Sequence, residues 1–429
     1  MSLRGVIVII LKILLDILSV PAILVGVVAM IGLLFQKKSA SDVIKGTIKT
    51  IMGFLILGGG AGIVVGALGS FGSMFQQGFG FQGIVPNNEA IVALALKTYG
   101  TQTALIMAFG MIVNILIARF TKLKYIFLTG HHTLFMACMI AAILVASGMK
   151  GVALIGVGSI ILGFVMALFP ALAQPTIRKI TGQDEVALGH FGTLGYLASA
   201  GIGKLVGKNS KSTEEMEFPQ GLMFLRDTSI AISLTMGILF IIVAIAAGPA
   251  YVQEKLSGGQ NYIIFSVMQA ITFAGGVYVI LAGVRLILAE IVPAFKGIAD
   301  KVVPNAKPAL DCPIVFPYAP NAVLIGFLSS FVGGIVGMAI LIALKSTVIL
   351  PGLIPHFFTG AAAGVFGNAT GGRKGAMFGA FTNGLIITFL PVLLLPVLGG
   401  LGYASTTFGD SDFGVVGILL GNIFKLFVH

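Results

Sequence analysis

Three short polar patches interrupt an otherwise apolar chain: TGHHT at 129–133, LGHFGTLG at 188–195 and DCPIVFPYAPN at 311–321. The last sets a carboxylate, Asp311, and three prolines at the mouth of a long apolar run. An ionised carboxylate only accepts hydrogen bonds, which suits solute hydroxyls, whereas an imidazole both donates and accepts. An ionisable group beside non-helical backbone at membrane depth survives only where protein or a watery cavity surrounds it. Asp311, His131, His132 and His190 are therefore expected to converge on a transported solute. A further polar turn, PNNEA at 86–90, offers Asn88 and Glu89.

Each residue also has a plainer role open to it. Asp311 could accept backbone N–H groups at a broken helix start, and the paired histidines could satisfy a re-entrant turn. Thr133 reads as a capping group and Asn321 as a capping or packing group. Glu89 could be a solvated residue at a helix start, where its charge is favourable.

Catalytic signatures fail on spacing. GIGKLVGKNS at 201–210 superficially resembles a phosphate loop, but GxxxxGK[ST] would need glycine where Ile202 stands and a hydroxyl where Asn209 stands. His131 and His132 lack the HExxH spacing of a zinc enzyme. Cys138 and Cys312 have no CxxC or Cys/His partner and read as buried apolar thiols. No catalytic residue, metal ligand set or cofactor is expected in this chain.

Composition explains why the polar patches stand out. Hydrophobic residues make up 57% of the 429 and charged ones 10%, with mean hydropathy +1.06. A soluble domain carries about a quarter charged residues, so the chain is read as an all-α polytopic membrane protein. Glycine, at 59 residues, lies mostly within the apolar runs, where small residues let helices approach closely. The formal charge of +11 comes from basic residues scattered between apolar spans. That pattern argues for topology signals and against nucleic acid.

The elements that must position the patches are about eleven apolar segments: 5–35, 51–68, 101–118, 125–147, 151–169, 227–247, 262–283, 318–344, 347–367, 376–398 and 413–427. Most are 16 or more residues long, a length that suits a helix crossing a hydrocarbon core of about 30 Å. The first contains Pro21 and is read as an interfacial helix turning into a span, not as a cleaved signal peptide. A hydrophilic connection at 171–225 divides one membrane-embedded domain, 1–429, into halves of about 1–170 and 226–429. With the N-terminus outside, loops 36–49, 119–124, 171–226, 284–307 and 368–375 face inward and hold most of the 26 Lys and Arg. The positive-inside rule then sets the C-terminus in the cytoplasm.

IKGTIKTIMGF at 44–54, LTGHH at 128–132, LGH at 188–190, DCPIVFPYAPNAV at 311–323 and LPGLIPHFF at 350–358 together resemble the ascorbate-type membrane permease subunit, enzyme IIC, of the bacterial phosphoenolpyruvate-dependent sugar phosphotransferase system. The resemblance runs in order along nearly the whole chain. It implies a homodimer in the bacterial cytoplasmic membrane, with re-entrant hairpins among the eleven segments and a possible inverted repeat. It further implies a core domain that moves, elevator-like, against a dimerisation domain. The solute would be a small polyhydroxy compound, phosphorylated by a partner enzyme IIB supplied by IIA.

Carried over residue by residue, the resemblance puts His131, His190 and Asp311 in contact with the solute. Asn88 and Glu89 match a contact pair before the third segment but differ in type. Phe135, Met136 and Phe191 stand where those permeases use glutamines, so Phe135 and Phe191 are expected to line an apolar face. Fewer amides would leave hydroxyls and the carbonyl of ascorbate under-satisfied in a closed site, at about 1 to 3 kcal/mol for each such group. The alternative mechanism is a proton- or sodium-coupled secondary transporter with Asp311 or Glu89 as the titrating group.

Overall fold

Apolar runs of this length leave the backbone no partner but itself, and the chain is accordingly mostly helical. The computed structural model describes residues 21–80, 84–216, 228–299, 303–403 and 406–425. Its helices are α1 (Pro21–Phe35), α2 (Ala40–Phe79), α3 (Asn88–Phe120), α4 (Gly130–Ala146), α5 (Gly151–Thr181), α6 (Thr193–Val206), α7 (Thr228–Ala247), α8 (Tyr262–Ala299), α9 (Pro320–Ala343), α10 (Leu353–Leu394) and α11 (Ser411–Lys425). The part of the first expected segment before Pro21 lies outside the described residues.

Among the described residues, Thr98–Phe120, Gly151–Thr181, Pro320–Ala343 and Ile354–Val397 are long and apolar enough to cross a membrane. Met236–Ala247 with Pro249–Leu256 forms a broken fifth candidate bent by 105°. Together they make this a multi-pass membrane protein.

Length alone misdescribes α10. Its backbone leaves helical geometry at Gly371 and Gly372, and a Cβ on Gly367 would fall 2.2 Å from the carbonyl oxygen of Gly375. Eight residues along a straight helix are about 12 Å apart. Asn383 also donates to the Thr359 hydroxyl across 3.0 Å, and Ser330 of α9 abuts both Gly360 and Gly384. All three pairings are symmetric about 371–372, so α10 is a helical hairpin of two antiparallel limbs. The sequence reading had two segments here, 347–367 and 376–398, and the hairpin joins them.

Several helices outrun their expected ends, α2 and α8 among them. α5 continues through Pro170 and Pro175 to Thr181, closing where Gly182 adopts φ +71° and donates to the Arg178 carbonyl. Proline is tolerated within such a helix because neighbouring groups re-satisfy the freed carbonyls. α3 begins at Asn88 instead of Thr101 and absorbs the difference in a kink at Tyr99.

Helices α1, α2, α7 and α8 pack chiefly on one another, while α3 to α6 and α9 to α11 form a second group. Each group draws on both halves of the chain. Within the second, glycines carry the close approaches: Gly110, Gly158 and Gly163 admit Leu162, Ile106 and Val113 between α3 and α5, and Gly326 meets Gly364 between α9 and α10.

Short parallel strands tie the second group together. β2 (Tyr125–Phe127), β4 (Lys307–Leu310) and β3 (Ala187–Leu188) form one sheet with β4 central. Phe127 and Ala187 both pair with Ala309. β1 (Val85–Pro86) pairs with β5 (Thr406–Thr407), and Ile84 bridges Ile349 on the other side. Parallel strands need long crossovers, here supplied by the helices.

Candidate functional site

The three polar patches follow the carboxyl ends of the three strands of one sheet. β2 is held against α3 by Asn114, whose amide donates to the Tyr125 carbonyl (3.2 Å) and accepts from the Phe127 N–H (3.0 Å). Leu128 then donates to the Ala309 carbonyl (2.9 Å), and α4 starts at Gly130 with His131 and His132 in its first turn. After β3, Gly189 donates to the Leu310 carbonyl (2.6 Å). Any Cβ there would lie 2.5 Å from the Ala309 oxygen, so glycine is required for the chain to deliver His190. After β4, the Asp311 carboxylate accepts from Cys312 N–H (2.6 Å) and opens a 3-10 turn over Cys312–Tyr318. The plainer role foreseen for Asp311 is thus present alongside its place in the cluster.

A charged clamp fixes the far ends of these strands. Asp184 receives Arg178 (2.7 Å), Lys307 (2.5 Å) and Gln174 (2.8 Å), and Gln174 also donates to the Val186 carbonyl (3.0 Å). Burial alone would raise the Asp184 carboxyl, but these donors outweigh it and hold it at about 2.

Asp311 stands between two imidazoles, His131 Nε2 at 3.4 Å and His190 Nε2 at 3.8 Å. His190 is buried, and its Nδ1 is engaged by the Tyr196 hydroxyl at 2.7 Å. His132 is buried with its ring 3.9 Å from that of His190 and stacked on Phe413. Phe135 meets His131 edge-on, whereas Phe191 is fully buried and stacked on Phe127 behind the histidines. Met136 is fully buried in α4.

The second sheet supplies the opposite wall. Asn88, buried at the start of α3, donates to Asp410 Oδ2 (3.0 Å) and accepts from Gly409 N–H (2.9 Å). Asp410 Oδ2 lies 4.0 Å from His132 Nδ1. Glu89 follows Asn88 in the first turn of α3, and its side chain lies outside the described residues. Thr133 does not cap α4: its hydroxyl donates to the Thr129 carbonyl (3.1 Å) from within the helix. Asn321 fits its structural reading, with its amide on the Thr213 carbonyl (3.1 Å).

Asp410, Ser411 and Asp412 are the residues that the sequence reading passed over. Asp412 accepts from Thr193 and Leu194 N–H (2.9 Å each), and Ser411 accepts from Gly195 N–H (3.1 Å). These three donors are orphans of the first turn of α6, so a segment over 200 residues away caps that helix in trans. FGDSDF at 408–413 did carry a signal, two carboxylates between phenylalanines at the edge of the last apolar segment.

Chemically, the cluster is a set of imidazoles and carboxylates with gaps. Three sets bring their ligand atoms within 4.8 Å of one another: His131, His132 and Asp311; His132, His190 and Asp410; and His190, Asp311 and Cys312. Such donors could hold a cation or a run of solute hydroxyls. The buried Thr129 hydroxyl and His132 Nδ1 have no hydrogen-bond partner, which points to a polar occupant.

Comparison with known proteins gives two further findings. Residues 16–412 match the family described as PTS system sugar-specific permease component. The ascorbate-specific PTS system EIIC component of Mycoplasma pneumoniae (strain ATCC 29342 / M129 / Subtype 1) is 28% identical over 411 residues, covering 83% of this chain. The match spans 62% of that relative's length.

Proposed function

The chain belongs to the sugar-specific permease components of the phosphotransferase system, and on that premise we propose that it carries a small polyhydroxy solute inward for phosphorylation by a partner enzyme IIB. Ascorbate is the first candidate, since the relative from Mycoplasma pneumoniae is named for it. The observation that carries this reading is the meeting of His131, His190 and Asp311 at 3.4 and 3.8 Å. One solute hydroxyl seated in such a gap accepts from an imidazole N–H and donates to the carboxylate. Helices α4, α6 and α11 begin at this cluster, and helix N-termini favour a negatively charged guest.

Phosphorylation drives net uptake in this scheme because the charged product no longer fits the carrier and cannot recross the bilayer. No residue here needs to carry the phosphoryl group; IIB, charged by IIA, supplies it. All the site residues belong to the group formed by α3 to α6 and α9 to α11. That supports an elevator in which this group moves against α1, α2, α7 and α8, which form the dimer. Eleven segments enter or cross the membrane, with the N-terminus outside and the C-terminus cytoplasmic. Two parallel sheets whose carboxyl ends lead to one site are also what an inverted repeat would produce.

Two measurements test this. Ascorbate should raise the melting temperature of the purified protein by mass action. Asp311→Ala should abolish that shift while leaving a folded dimer; an unchanged shift would reject the site. In vesicles, accumulation should require phosphoenolpyruvate and the phosphotransfer proteins inside. Accumulation that instead follows a proton or sodium gradient would establish the secondary-transport alternative.

A further inference from the structure

Asp410 is 4% exposed, lies on a segment that no motif flagged, and faces His132 across 4.0 Å. That gap is too long for a hydrogen bond and too short to hold a separate layer of protein. His132 Nδ1 is buried and has no hydrogen-bond partner, a state that native structures rarely leave unfilled. An oxygen about 2.8 Å from each group would close the gap with two good hydrogen bonds. The same relation holds at Asp311, whose carboxylate is 3.4 and 3.8 Å from two imidazoles.

Building on the solute site proposed above, we infer that Asp410 and His132 form a second hydroxyl clamp and that Asp410 determines which polyhydroxy solute binds. The His132 and His190 rings are 3.9 Å apart, so the two clamps adjoin. They fit a solute whose hydroxyls sit on neighbouring or next-neighbouring carbons. Asn88 acts as a positioning residue, bonded to Asp410 Oδ2 and to Gly409 N–H. The competing structural reading has Asp410 doing no more than ordering Asn88 and the start of α3.

The test is calorimetric titration of the purified full-length protein with ascorbate and with analogues lacking or methylated at one hydroxyl each. Asp410→Asn should weaken ascorbate by about 10- to 100-fold, the loss expected when a charged hydrogen-bond partner is removed. One analogue should lose about as much against the wild type and nothing further against Asp410→Asn. If Asp410→Asn does not fold, His132→Phe keeps the ring stacked on Phe413 and should show the same coupling to the same hydroxyl. Equal analogue profiles in variant and wild type overturn the clamp while leaving the Asp311 site standing. Loss of ascorbate binding on treatment with a chelator overturns it in favour of a bound cation. Unaltered binding by Asp311→Ala, or none by the wild type, overturns the function on which it rests.

Discussion

At the scale of single residues, the cluster of His131, His190 and Asp311 depends on side chains that lie outside it. Asp412 is fully buried and satisfies two N–H groups at the start of α6, the turn that directly follows His190 and Phe191. Asp412→Ala would leave both donors without a partner, at about 1 to 3 kcal/mol each. It should lower the melting temperature clearly and weaken solute binding, whereas Asp412→Asn, which keeps one acceptor oxygen, should do less of both. Thermal denaturation and titration of both variants would check this, and equal effects would deny the trans cap. Asp184 makes a prediction about pH. Its folded carboxyl is held at about 2, below its ordinary value, so its stabilisation is complete above about 4 and fades as pH falls toward 2. Melting curves of wild type and Asp184→Asn should therefore differ at neutral pH and converge as the solution is acidified to pH 2.

At the scale of elements, the hairpin of α10 turns on one residue. Gly372 has φ +55° and ψ −147°, and a Cβ there would fall 2.3 Å from the Lys211 carbonyl oxygen and 2.4 Å from that of Ser210. Both carbonyls are backbone, and Arg373 N–H is already donating to Lys211 (2.8 Å). Gly372→Ala should cost several kcal/mol through strain and clash, seen as a large drop in melting temperature, while Gly371→Ala tests the neighbouring contact with Gly203. The apolar segments, the break in α10 and the polar interruptions at His131, His190 and Asp311 were legible because each opposes a charge or glycine to a long hydrophobic run. The strands were not, since two to four residues are too few for an alternating pattern to register. Nor was the path of α5 through two prolines, because membrane neighbours relax a rule that holds in water. Asp410 and Asp412 escaped notice for another reason: their partners, Asn88, His132 and the first turn of α6, are 200 to 320 residues away, and sequence spacing carries no trace of that contact.

At the scale of the whole molecule, the two sheets give the sidedness of the chain a structural meaning. β2, β4 and β3 lie on or beside the connections rich in Lys and Arg, whereas β1, Ile349 and β5 lie on connections that are poor in them. The proposed topology, by the positive-inside rule, would put the first sheet on the cytoplasmic side and the second on the outer side, so that a solute held between them would touch elements anchored on both. An open apolar groove of about 880 Å³ between α3 and α5 shares no residue with this site, and its lining of Leu105, Phe109, Val113, Val152 and Ile160 suits lipid chains. The chain's two cysteines, Cys138 and Cys312, are both buried, which makes sidedness simple to measure with an impermeant maleimide. Lys345 and Lys208 are exposed on loops at the two ends. Lys345→Cys should label in intact cells, and Lys208→Cys only after the membrane is opened. The opposite pattern would invert the topology, and with it the direction from which solute first meets Asp311. Labelling of both in intact cells would mean that loop 207–212, which is docked on the tip of the α10 hairpin, does not face the cytoplasm, and a phosphorylating partner would then have no access from that side.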